Sequence, residues 1–219
     1  MIVKSSVQEL FPTPLWVADL PPEQALSLNS KLKTLIYGQA DRPPNLQVGA
    51  TWQTDPNLQQ RAEFAEFIGL VNLAARSALE FLQVRYDGFE VTGCWANINP
   101  QTGMNPAHMH PNNFLSGVYY VSLPGDTGEI VFSDPRPQAA MVMPVVKQWN
   151  RYTSNESRVV LKPGRFVLFP AWLVHWVPVN PSPEHRISIA YNIMFSDFTR
   201  QVSPPQWQGN APLLPPASV

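Results

Sequence analysis

The chain has 219 residues, a formal net charge of -1 and 44% apolar residues, enough to fill a core within one domain. No basic stripe is present, so a nucleic-acid backbone is not the expected partner, and no apolar run reaches the roughly 20 residues needed to span a bilayer. A single cysteine, Cys94, builds no internal disulfide. The first residues, MIVKSSVQELFPTPLW, lack a signal-peptide h-region, and the expectation is a cytoplasmic protein without a membrane anchor.

In chain order, residues 11–20 read as an extended segment stiffened by its prolines. Residues 21–39 open with Pro-Pro-Glu and place Ala25, Leu26, Leu28, Leu32 and Leu35 at mostly helical spacing. A polar loop containing GATWQT (49–54) follows. Residues 55–86 form the strongest helical pattern, with Asp55 as the expected N-cap, Pro56 at the first helical position and a stripe through Phe64, Phe67, Ile68, Val71, Ala75, Ala78, Leu79 and Leu82. That stripe predicts a helix lying on a sheet.

After Gly88 the period changes from helical to alternating. Strands are predicted in 89–100, 114–124, 128–136 and 186–195, and 158–170 reads as two strands forming a hairpin about Pro163-Gly164. The chain holds 24 prolines against only 11 glycines. A proline share about twice the usual one suits many short strands joined by rigid turns. The expected architecture is mainly β with N-terminal helices, on a jelly-roll core. Its organisation is 1–88 as helical support, 89–200 as the core and 201–219 as a proline-rich tail, all within a single domain. Residues 136–157 are polar and irregular, an ordered flap or a loop.

The chemistry-bearing residues lie in the β-rich half. His108 and His110, in NPAHMHPNN, stand two apart, so on an extended segment both rings approach one point. His175 follows 65 residues later in FPAWLVHWVPVN, where apolar neighbours leave an imidazole in need of a partner. Each histidine alone has a structural reading, His175 as a core histidine satisfied by the backbone. Together the three form a donor set suited to Fe, Zn, Cu or Ni. Arg186 and Ser188, in Arg-Ile-Ser, share a face of the last strand, where an arginine can grip a carboxylate in a two-pronged charge-assisted bond and the serine can donate beside it. Trp95, Asn97 and Asn99 share one face of the first core strand, and Asn192 shares the face of Arg186. All four are candidates for the pocket wall. Arg136, after Asp134-Pro135, either meets substrate or braces its turn.

The runs HMHPNNFLSGVYYVSLPGDTGEIVFSDPR and KPGRFVLFPAWLVHWVPVNPSPEHRISIAYNIMF resemble the 2-oxoglutarate/Fe(II) oxygenases of bacteria and phages, over roughly residues 95–196. The resemblance implies a double-stranded β-helix with Fe(II) at its mouth, 2-oxoglutarate as co-substrate and O2 as oxidant. The far carboxylate of 2-oxoglutarate would sit on Arg186 and Ser188. Tyr119 or Tyr120 would add a hydroxyl, only one of them facing inward. It also implies oxidation of a C–H bond in a small molecule or side chain. One departure stands out. The common iron site uses two histidines and a carboxylate, the acid two residues after the first histidine, and here His110 holds that position. Three readings follow: His110 replaces the acid, water fills the place beside His108 and His175, or Asn112, Asp134 or Glu129 supplies oxygen from elsewhere. Competing functions are a cupin-like metalloenzyme without 2-oxoglutarate and a non-catalytic jelly-roll binding module. A homo-oligomer is compatible with the sequence.

Overall fold

The computed structural model describes residues 4–39, 51–125 and 128–201. The tail from Pro204, and Gly49 and Ala50 of the GATWQT element, lie outside the described residues.

The chain begins with a short strand, β1 (Trp16–Asp19), and a helix, α1 (Pro22–Gln39). Pro22 opens α1, and Glu23 in the first turn complements the helix dipole. Its buried stripe is Ala25, Leu28, Leu32 and Ile36. Leu26, expected in that stripe, is 73% exposed, because the helical period carries it to the outer face. After a two-residue strand, β2 (Trp52–Gln53), comes the largest local departure from the pattern. The second helix, α2, runs Ala65–Phe81 and not from Asp55. Two 3-10 turns, Leu58–Gln60 and Ala62–Phe64, precede it. The Pro56 carbonyl accepts the Cys94 N–H at 3.2 Å, and Asn57 bridges to Cys94. That stretch of backbone is therefore spent on the sheet and cannot join a helix, while Leu58 and Phe64 are fully buried beneath it.

Eight further strands follow: β3 (Phe89–Asn99), β4 (Asn105–His108), β5 (Leu115–Ser122), β6 (Glu129–Ser133), β7 (Glu156–Val160), β8 (Arg165–Pro170), β9 (His175–Val177) and β10 (Arg186–Phe195), with a closing helix, α3 (Ser196–Gln201). They form two antiparallel sheets, ordered β1-β8-β5-β10-β3-β2 and β4-β9-β6-β7. This is the expected jelly roll.

The predicted hairpin at Pro163-Gly164 is instead a crossover between sheets. β7 pairs with β6 in the four-stranded sheet, whereas β8 pairs with β5 and β1 in the other. Gly164 explains the difference. It sits at φ +86°, its N–H donates to the Tyr120 carbonyl at 2.9 Å, and its own carbonyl accepts from Leu20 at 3.0 Å. The turn is thus tied to β5 and to the end of β1, not to its neighbour in sequence. Residues 136–157 form an exposed segment with one 3-10 turn, Pro137–Ala140, anchored where Arg151 and Tyr152 bind Glu9.

β10 lies between β5 and β3 and sorts its side chains by alternation. Ile187, Ile189, Tyr191 and Ile193 join the core beneath α1 and α2, with Cys94, Ala96 and Ile98 of β3. Arg186, Ser188, Ala190 and Asn192 face the other way, toward the four-stranded sheet. A second apolar cluster, including Val118, Tyr120, Val167 and Phe169 with Ile130 and Phe132, fills that inner space.

Candidate metal centre

β4 and β9 pair so that His108 stands opposite His175. His110, just beyond β4, is fixed by its own N–H, which donates to the Ala171 carbonyl at 2.9 Å. One ring nitrogen from each of the three lies within 4.8 Å of the others, a spacing from which a single ion can gather all three. Two of the rings are oriented by the same device. The Nδ1–H of His108 donates to the Pro106 carbonyl at 2.7 Å, and that of His175 to the Leu173 carbonyl at 2.9 Å. A carbonyl only accepts, so Nδ1 carries the proton in both rings and Nε2 keeps its lone pair for a metal. Burial first, then the neighbouring His175 and His108, pushes the His110 pKa down to about 3. Burial brings His175 down to about 4, against the opposing bond to Leu173. Both are neutral at pH 7, the state a metal requires.

The oxygen donors proposed as substitutes for the missing acid are engaged elsewhere. Asp134 accepts two bonds from the Arg136 guanidinium, at 3.0 and 2.7 Å, and one from its backbone N–H, and Glu129 pairs with Arg158 at 3.1 Å. Asn112 is exposed, at φ +61°. Among the described residues no carboxylate joins the cluster. Of the two roles read for Arg136, the structure shows the brace: its largely exposed guanidinium bonds the Asp134 carboxylate.

Arg186 lies on the inner face and is buried, with no ionic partner among the described residues. Nη2 donates to the Pro178 carbonyl at 2.8 Å and, more weakly, to that of Gly103 at 3.4 Å, while among the described residues Nε and Nη1 have no partner. Burial lowers its pKa, an effect the Tyr120 hydroxyl opposes, yet guanidinium stays charged. The Tyr120 hydroxyl is likewise buried and unpartnered. Ser188 stands between Tyr120 on β5 and Asn97 on β3. Buried polar atoms are normally satisfied. A sealed arginine fork beside a sealed hydroxyl therefore marks the place of an absent acceptor, and a carboxylate matches it.

Of the two tyrosines, of which only one is expected to face inward, Tyr119 faces the helices. Its ring packs against Phe67 and Phe166 under the helices, and its hydroxyl donates to Asn29 at 2.7 Å. Only Tyr120 shares the face of Arg186. Trp95 lies 5.8 Å from His110, ring to ring. Asn97 accepts from Gln53 at 2.7 Å, Asn99 donates to Thr51 and Asn105, and Asn192 accepts from Ser116 at 2.8 Å. The sequence reading missed Ser116, whose only signal is its register opposite Asn192. It also missed Asn180, fully buried, which donates to the Asn99 and Glu184 carbonyls and holds the loop that leads into Arg186.

Residues 93–192 match the model of a family described as "Putative 2OG-Fe(II) oxygenase". Among solved structures the chain is similar to a prolyl-4-hydroxylase from Pseudomonas putida, at 13% identity over 84% of this chain and 93% of that one, with a TM-score of 0.53. It is similar to HygX from Streptomyces hygroscopicus with nickel and 2-oxoglutarate bound, at 11% identity over 84% and 83%, TM-score 0.55. It is also similar to the non-heme alpha ketoglutarate dependent epimerase SnoN from nogalamycin biosynthesis, at 11% identity over 84% and 79%, TM-score 0.59. At these identities the likeness is one of fold, the double-stranded β-helix. No curated protein matches the sequence. The family that the motifs suggested is thus the family whose model residues 93–192, from within β3 to within β10, match.

Proposed function

We propose that the protein is an Fe(II)- and 2-oxoglutarate-dependent dioxygenase that hydroxylates, or otherwise oxidises, a C–H bond of a small molecule or side chain. The observation that carries the reading is the cluster of His108, His110 and His175, with ring nitrogens within 4.8 Å and two rings fixed in the ligating tautomer. In this reading all three hold the metal, and His110 stands where the common site has its acid. The chain acts as one oxygenase domain, with 1–88 supporting the core at 89–200.

When bound, iron with 2-oxoglutarate and dioxygen supplies the oxidant. The remaining work falls to the chain. Arg186, through Nε and Nη1, grips the far carboxylate of 2-oxoglutarate, with Tyr120 and Ser188 donating beside it. The unpartnered state of the arginine fork and the tyrosine hydroxyl supports that role. It also favours the oxoglutarate reading over a cupin-like site, which has no need of a buried cation there. Phe132 and Phe169, at 6.0 and 4.5 Å from the His175 ring, keep water from the metal side of the cavity.

The test is direct. Fe(II) and 2-oxoglutarate added without oxygen should give a weak visible charge-transfer band and a raised melting temperature. Absence of both refutes the proposal.

A further inference from the structure

The inner face of the six-stranded sheet carries two separate polar groups. The first is the arginine group at the start of β10. The second, four residues beyond Ser188, is Asn192 with Ser116. Strand geometry puts Ser188 and Asn192 about 13 Å apart. 2-Oxoglutarate, with five carbons, spans only about 6 Å at ordinary bond lengths. A co-substrate anchored on Arg186 therefore stops short of Asn192. Between the two groups Ala190 faces Trp95 and Val118, an apolar strip.

The histidines lie over the far end of that strip. Phe169, whose ring is 4.5 Å from His175, is the register partner of Ser116, and Trp95 is 5.8 Å from His110. His110 binds Ala171, Ala171 binds Phe114, and Phe114 binds Ile193, each through the backbone. Asn192 thus lies at the end of the strip nearer the histidines, away from Arg186, where β3 carries an extra residue, Thr92, opposite the step from Asn192 to Ile193.

Asn192 is held by Ser116. The Ser116 hydroxyl donates to Oδ1 at 2.8 Å, and both residues are buried, at 3% and 1% exposure. Nδ2 then turns away from Ser116, and among the described residues it meets no acceptor. Unlike the Tyr120 hydroxyl it is not sealed, and it lies on the inner face of the sheet with Arg186 and Ser188. Charge adds a second constraint. Among the described residues no Asp or Glu is buried, and three imidazoles replace the usual two and a carboxylate. A cationic substrate would find no counter-charge there.

We infer that Asn192, oriented by Ser116, is the residue that orients the primary substrate, and that it takes a carboxylate or carbonyl oxygen of an acidic or neutral molecule and rejects amines. The inference rests on the oxygenase reading and names the substrate class of that same site. Donor specificity of this kind arises because a mismatched partner leaves a buried polar group unpaired.

The experiment uses the protein loaded with nickel(II) and saturating 2-oxoglutarate, a form chosen so that binding is read without turnover. Calorimetry first establishes that both bind, and failure there counts against the functional reading. Ligand-observed NMR then compares benzoate and hexanoate, benzamide and hexanamide, and benzylamine and hexylamine. Acids and amides should show saturation transfer and amines none. Asn192→Asp, which keeps the shape and exchanges the donor for an acceptor, should lose the acids and gain the amines. Asn192→Leu should weaken acid and amide binding at least tenfold with the affinity for 2-oxoglutarate unchanged. The inference is overturned if no acid or amide binds, if amines bind as well as acids, or if Asn192→Asp keeps the original preference.

Discussion

At the scale of single residues, the site depends on backbone carbonyls that no motif displays. Pro106 and Leu173 each stand two residues before a histidine and each accept its Nδ1–H. These bonds set the tautomers without any ion, so a metal would meet oriented donors. His175→Ala should abolish stoichiometric iron binding, measured by metal analysis of the purified protein; retained iron would contradict the ligand role. Arg186→Ala should leave iron bound and weaken 2-oxoglutarate. Loss of charged hydrogen bonds of about 1.5–3 kcal/mol corresponds to roughly 10- to 100-fold in affinity, readable by titration of the visible band. An unchanged affinity for 2-oxoglutarate would remove Arg186 from that role.

At the scale of elements, legibility followed period. The alternation of β10 placed Arg186, Ser188 and Asn192 on one face from spacing alone, and their neighbours Ile187, Ile189 and Tyr191 in the opposite core. The start of α2 was not legible. Asp55-Pro56 has good helix-start chemistry, yet its backbone pairs with Cys94, a partner 38 residues away that local pattern does not encode. β1 shows a related device at its end. The hydrogen bond from Arg165, with Lys162 adding to it, brings the Asp19 carboxyl from 3.8 to about 2 and ties β1 to β8. A carboxyl with a lowered folded pKa stabilises fully above its unfolded value, and the contribution is lost as pH falls toward 2. Asp19→Asn should therefore lower stability at pH 7 and flatten the decline between about pH 4 and 2 in urea titrations. A variant with the acid limb of the native protein would show that the pair contributes nothing.

For the whole molecule, what escaped the sequence is the way its layers are joined. Pro163-Gly164 has the composition of a hairpin turn, and only the pairing of β7 with β6 and β8 with β5 reveals a crossover. The same turn meets the helical layer: a Cβ on Gly164 would lie 2.6 Å from the Cβ of Ala25 in α1. Gly164→Ala should thus strain the positive φ and push α1 from the sheet, costing about 1–3 kcal/mol in a denaturation midpoint at unchanged m-value. Wild-type stability in that variant would mean that α1 is free to shift. The three-layer order explains why the jelly roll was readable while its site was only partly so. Strand faces follow from alternation, but the loop through Asn180 and the register of Ser116 arise from contacts across 76 residues or more.

The alternation of β10 has a consequence for how such a protein can change over evolutionary time. One set of positions answers to folding and the other to chemistry, and the two sets interleave without sharing a side chain. Substitutions at Asn192 or Ala190 can redirect the substrate while the packing under α1 and α2 stays as it was. A single inserted or deleted residue within the strand would exchange the two sets at once. Diversification along β10 is therefore expected to proceed by substitution, with its length held constant.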